Sequence, residues 1–130
     1  MRPVRTDAAP APVAGAPYSQ AIAATAGEIV WVSGQVPVDP ATGQLIEDDI
    51  GLQTALVLRH VAAILAAAGG TMEHVVKTTV FLADLGDFAA MNEVYAHAFG
   101  DAAPARATVQ VAALPLGALV EIEAVAVIPA

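Results

Sequence analysis

The chain has no cysteine. That one absence removes disulfides, thiolate nucleophiles and thiolate metal sites together. Positive charge is nearly as scarce: Arg2, Arg5, Arg59, Lys77 and Arg106 stand against 13 Asp and Glu residues, a formal net charge of −8. Such a balance repels polyphosphate backbones and anionic head groups, so neither nucleic acid nor a membrane is expected as a partner. The apolar runs read as too short and too interrupted to span a bilayer. The start of the chain lacks the continuous apolar centre of a signal peptide, and the expected compartment is the cytoplasm. His60, His74 and His97 show no ligand spacing on a shared element, so no metal site is expected.

What the chain does hold is mostly apolar. Hydrophobic residues make up 57% of the 130 positions and charged ones 14%, a length for one domain with one core. The surface is poorer in charge than a comfortable monomer carries, and part of it is therefore expected to be covered by other subunits. Residues 1–15, with Ala8-Ala9-Pro10-Ala11-Pro12, resist both helix and sheet and read as a flexible tail. The domain proper runs over 16–130.

Residues 18–24 and 28–35 read as two strands around a turn at Ala26-Gly27. Asp39-Pro40 and Gly43 then predict a hairpin-like excursion. Helical spacing follows over 49–68, with Ile50, Thr54, Val57, Leu58, Val61, Leu65 and Ala68 on one stripe. Asp48 or Asp49 caps its start and Gly69-Gly70 ends it. The β-branched run Val75–Leu82 predicts a strand. Asp87 caps a second helix with the stripe Phe88, Met91, Val94, Tyr95, Ala98 and Phe99, closed by Gly100. Trp31, Phe88 and Phe99 read as core, and Asp39 and Asp84 as turn residues.

The last stretch poses the chemical question. Residues 104–111 and 119–125 read as two strands joined by a turn at Leu114-Pro115-Leu116-Gly117, with Arg106, Thr108 and Gln110 on one face of the first. This hairpin would bring Arg106, Glu121 and Glu123 into an apolar segment, where a charge must find a partner or a ligand. The residues alone leave both open: Arg106 is a structural ion-pair partner of Glu121 or Glu123, or it holds something else. Two helices cover one sheet face only, yet the last strand carries apolar residues on both. A closed homo-oligomer would cover the second face and set any polar pocket at subunit boundaries.

Ala16-Pro17-Tyr18-Ser19-Gln20, Ser33-Gly34-Gln35-Val36-Pro37, Val76-Lys77-Thr78-Thr79-Val80-Phe81-Leu82, Met91-Asn92-Glu93-Val94-Tyr95, Pro104-Ala105-Arg106 and Glu121-Ile122-Glu123-Ala124 together resemble the RidA (YjgF) family. The resemblance implies an α+β, chorismate-mutase-like fold: a mixed β-sheet with two helices on one face. It also implies a homotrimer with sites in its interfaces, and cofactor-independent hydrolysis of reactive enamines and imines. The implied substrates are 2-aminoacrylate and 2-iminobutanoate, released as 2-keto acids and ammonia. By the same resemblance Arg106 grips the substrate carboxylate, a task for a planar guanidinium, and Glu121 orients water or relays protons. Tyr18, Ser33, Gly34, Asn92 and Thr108 would line the pocket.

Ala107 stands where a serine often follows the arginine, Thr108 where many members carry cysteine, and Leu116 where a basic residue is frequent. These departures bear on the substrate, and a relative acting on 2-aminomuconate, or on aminoacrylate from pyrimidine breakdown, stays open. A different class also stays open: a non-catalytic protein that binds 2-keto acids, or a chaperone using exposed apolar surface. Family members are also described as ribonucleases, a reading that the acidic charge opposes here.

Overall fold

The strand Val75–Leu82, here β4, lies inside the main sheet and decides what its neighbours present. The computed structural model describes residues 1–13 and 16–130. In chain order β4 is preceded by β1 (Arg2–Val4), β2 (Ala21–Ala23), β3 (Gly27–Gln35) and the helix α1 (Ile50–Ala67). It is followed by α2 (Phe88–Phe99), β5 (Ala105–Gln110) and β6 (Val120–Pro129). The main sheet has the order β3-β6-β4-β5, with β5 parallel to β4 and the other pairs antiparallel. This is a mixed sheet with two helices, an α+β fold.

Both helices begin and end as the sequence predicts, with one change. Asp49 caps α1 by accepting a hydrogen bond from the Leu52 amide at 2.9 Å. Gly69, at φ 86°, supplies the left-handed residue past its end. Asp87 precedes α2 but its side chain makes no capping bond; Asp84 instead accepts from the Gly86 amide in the turn before it. The stripes are Val57, Leu58, Val61 and Leu65 on α1 and Met91, Tyr95 and Phe99 on α2, all buried. They meet Val80, Leu82, Val120, Ile122, Ala124 and Ala126 from one sheet face. Gln53, also buried, ties α1 to two loops through the Ile46 carbonyl and the Leu119 amide. By length and composition α1 is apolar enough to cross a membrane, which corrects the reading that no run reaches that size.

Two expected pairings give way to others. Residues 104–125 do not form a hairpin, because β4 lies between β5 and β6. The chain from β4 through α2 to β5 is a crossover, and a helix between two strands returns the second parallel to the first. Nor does β2 pair with β3; it pairs with β1, inside the segment read as a tail. There the Gln20 side-chain amide donates to the Thr6, Ala9 and Pro10 carbonyls and its carbonyl accepts from the Thr6 amide. Residues 14 and 15 of that expected tail lie outside the described residues. The excursion after β3 stands as read: Gly43 has φ 72°, and Asp39 accepts from the Ala41 amide.

Among the described residues no helix covers the second sheet face. Trp31 is 75% exposed on it and Ile29 54%, with Val125 and Val127 as their register partners on β6. Trp31 is therefore not core in this chain, as the sequence reading had it.

Candidate functional site

The β4–β5 register sets Arg106 beside Thr78, and the β4–β6 register sets Thr78 beside Ala124. Paired residues share a face and neighbours along a strand alternate. Arg106 consequently lies on the helix-covered face, together with Thr108. Glu121 is paired with Phe81 and lies on the open face, two strands away. The ion pair that the sequence left open, Arg106 with Glu121 or Glu123, is not formed within the chain.

Arg106 has other neighbours. Its Nη1 donates to Asn92 Oδ1 at 2.7 Å. Its Cζ lies 4.8 Å from the ring centre of Tyr95, 5.4 Å from Tyr18 and 5.5 Å from Phe88, all within reach of a cation–π attraction. Helix α2 makes this possible, since Phe88, Asn92, Tyr95 and Phe99 fall at spacings of three and four and share one side. Burial holds the Arg106 guanidinium below its ordinary value, and the phenols of Tyr95 and Tyr18 oppose that change. A cation already half-stripped of water, with neutral neighbours, is prepared to receive an anion.

Two further groups complete this half. The Tyr18 hydroxyl oxygen accepts from the Val13 amide at 3.0 Å, so its own O–H is left to donate. Thr108 Oγ1 is buried and has no hydrogen-bond partner among the described residues, on the face that Arg106 occupies. Beside Asn92 runs a cleft of about 460 Å³, lined by Val13, Ala16, Phe88, Asn92 and Ala96 among others.

The other half lies where β3 breaks its register. Val32 pairs with Ala124 and Gln35 with Ile122, so Ser33 and Gly34 form a bulge with one residue more than β6 offers. The Glu121 side chain lies against Gly34: a Cβ there would collide with the carboxylate and come within 2.9 Å of its Cδ. Gly34 is thus a place for Glu121, and the bulge is what opens it.

The seven residues expected at the site fall into two groups. Tyr18, Asn92, Arg106 and Thr108 gather on the helix side of β5; Ser33, Gly34 and Glu121 gather at the β3–β6 margin. One chain does not bring the groups together. Phe88 and Tyr95 were read as stripe residues and prove to flank Arg106; the signal was Asn92, a lone amide interrupting their apolar side of α2. The histidines each serve apart. His60 Nε2 bonds the Val38 carbonyl, His74 Nδ1 accepts from the Thr71 amide, and His97 sits on α2.

A family model described as Endoribonuclease L-PSP matches residues 8–128. Protein DfrA of Myxococcus xanthus is 53% identical over 90% of this chain and 89% of its own length. The mouse 2-iminobutanoate/2-iminopropanoate deaminase is 48% identical over 90% of this chain and 85% of its own. The crystal structure of RidA from the Antarctic bacterium Psychrobacter sp. PAMC 21119 is 44% identical, with a TM-score of 0.75 over 98% of this chain and 100% of that one.

Proposed function

The chain belongs to the Endoribonuclease L-PSP, or YjgF/RidA, family, and from that premise we propose that it hydrolyses 2-imino acids such as 2-iminobutanoate to 2-keto acids and ammonia. The observation that carries the reading is the Arg106 guanidinium, held by Asn92 and three aromatic rings with no carboxylate partner among the described residues. A 2-imino acid presents a carboxylate next to its reactive carbon, and a planar fork receives it in one orientation. Water then adds to the imine carbon, and the tetrahedral adduct expels ammonia as its C–N bond breaks and the carbonyl forms. Glu121 is the base that orients the water and passes its proton toward the leaving nitrogen. An enamine such as 2-aminoacrylate enters after tautomerising to the imine.

This chemistry needs Arg106 and Glu121 in one pocket, and a single chain holds them on opposite sheet faces. The reading therefore includes a homotrimer in which the β5 half-site of one copy meets the β3–β6 half-site of the next. The exposed Trp31 and Ile29 and the edge position of β5 support it. A ribonuclease reading, which the family description invites, has a net charge of −8 against it.

The test is to generate 2-iminobutanoate with a threonine dehydratase, trap the imine, and measure whether catalytic amounts of the protein hasten its loss. Arg106→Ala should abolish the acceleration while the melting temperature changes little, and Glu121→Gln should bind 2-oxobutanoate yet lose most of the turnover. No acceleration by the unaltered protein, or full activity in the Arg106→Ala variant, would reject the proposal.

A further inference from the structure

Of the three rings around Arg106, Tyr95 is the one wholly inside the protein, at 0% exposure. A buried ring at a helix stripe needs no hydroxyl to fill space, and phenylalanine would do it. The hydroxyl of Tyr95 has a specific partner, Thr78 Oγ1, at 2.6 Å. Thr78 is itself 1% exposed and is the register partner of Arg106 on the neighbouring strand. The bond thus fastens α2 to the sheet beside the Arg106 backbone. Phe99 packs against the same ring, its centre 4.6 Å away and its plane inclined by 41°.

We propose that Tyr95, pinned by Thr78, is a positioning residue that sets the Arg106 guanidinium for the substrate carboxylate. It lies closer to the guanidinium than either of the other rings, and unlike them it cannot move without breaking a buried hydrogen bond. Asn92 fixes one end of the fork through Nη1, while the Tyr95 face fixes its height above the helix. The remaining N–H groups of Arg106 have no partner among the described residues and are the ones a carboxylate would take. The Tyr95 phenol is neutral at physiological pH, and burial pushes it further up, to about 12, so the ring does not compete with the anion. Tyr95 does not touch the reacting atoms; it acts through Arg106, and its importance to catalysis rests on the proposed role of Arg106.

The test separates a pin from ordinary core packing. Tyr95→Phe alone strands the Thr78 hydroxyl in the core, whereas Tyr95→Phe with Thr78→Val removes both hydroxyls together and should return the melting temperature toward that of the unaltered protein. If the pair only satisfies the core, the double variant behaves as the unaltered protein in every respect. On the proposal, its Arg106 Nε–H signal in nitrogen-edited NMR shifts and exchanges faster with water. Its calorimetric affinity for 2-oxobutanoate stays about tenfold weaker despite the recovered stability. A stable double variant with an unchanged Arg106 signal and unchanged 2-oxobutanoate affinity overturns the inference. Should the Arg106 signal move while the unaltered protein binds no 2-oxobutanoate, the pin stands and the carboxylate reading of Arg106 falls.

Discussion

Gly34 shows how one missing side chain makes room for another. Its backbone sits in a bulge and the Glu121 carboxylate occupies the space a Cβ would fill. Gly34→Ala should therefore displace Glu121 and leave the fold intact, because the flexible carboxylate can yield while the buried stripes are untouched. The expected result is a fall in imine turnover of about a hundredfold or more with a nearly unchanged melting temperature. Turnover near that of the unaltered protein would mean that Glu121 works from elsewhere. The residue types at this site were legible in the sequence, since Arg106 in an apolar strand has to hold something. Their division was not, because alternation assigns a side chain to one of two faces without saying what lies across it.

Strand β4 and helix α2 act as a unit through Thr78 and Tyr95, and that unit has a pH signature. The Tyr95 phenol is raised from 10.0 to about 12, with desolvation by burial the largest cause. A proton held more tightly in the folded chain stabilises it fully below the unfolded value near 10, and that contribution is lost as pH rises through about 12. Chemical denaturation should show stability falling by roughly 2–3 kcal/mol between pH 10 and 12. Tyr95→Phe should flatten that window while leaving neutral pH to report only the stranded Thr78 hydroxyl. An equally steep decline in the variant would assign the effect to other groups. The elements themselves were readable: α1 and β4 fall where periodicity and caps set them. Their partners were less so, although strand, helix, strand over β4, α2 and β5 was itself the signal for a parallel crossover, and it outweighs the apparent hairpin of β5 with β6.

The molecule leaves one sheet face open, with Trp31 at 75% exposure and Ile29 at 54% beside Val125 and Val127. Burying a large apolar side chain contributes about 1.5–3 kcal/mol, so several such residues on each copy give association a strong drive. Sedimentation should find a trimer, and Trp31→Glu should dissociate it by placing a charge in the apolar contact. The dissociated variant should also lose imine turnover although Arg106, Asn92 and Tyr95 are untouched, because its two half-sites no longer meet. A stable monomer of the unaltered chain at micromolar concentration would reject the interface, and a dissociated yet active variant would reject the shared pocket.

Composition and local pattern were enough to establish two helices with their stripes, the β4 strand and a lone arginine in an apolar strand. These depend on interactions among near neighbours, namely helical and strand periods, an Asp49 cap and a glycine past each helix. Which strands lie side by side is a matter of contacts far apart in the chain. The pairing of β1 with β2, the seat of β4 between β5 and β6 and the exposure of Trp31 are all set by such long-range contacts. The same long-range register sets Thr78 next to Arg106 and turns Glu121 to the opposite side. Two charged residues fifteen positions apart thus look like partners along the chain, and the strand folded between them separates them.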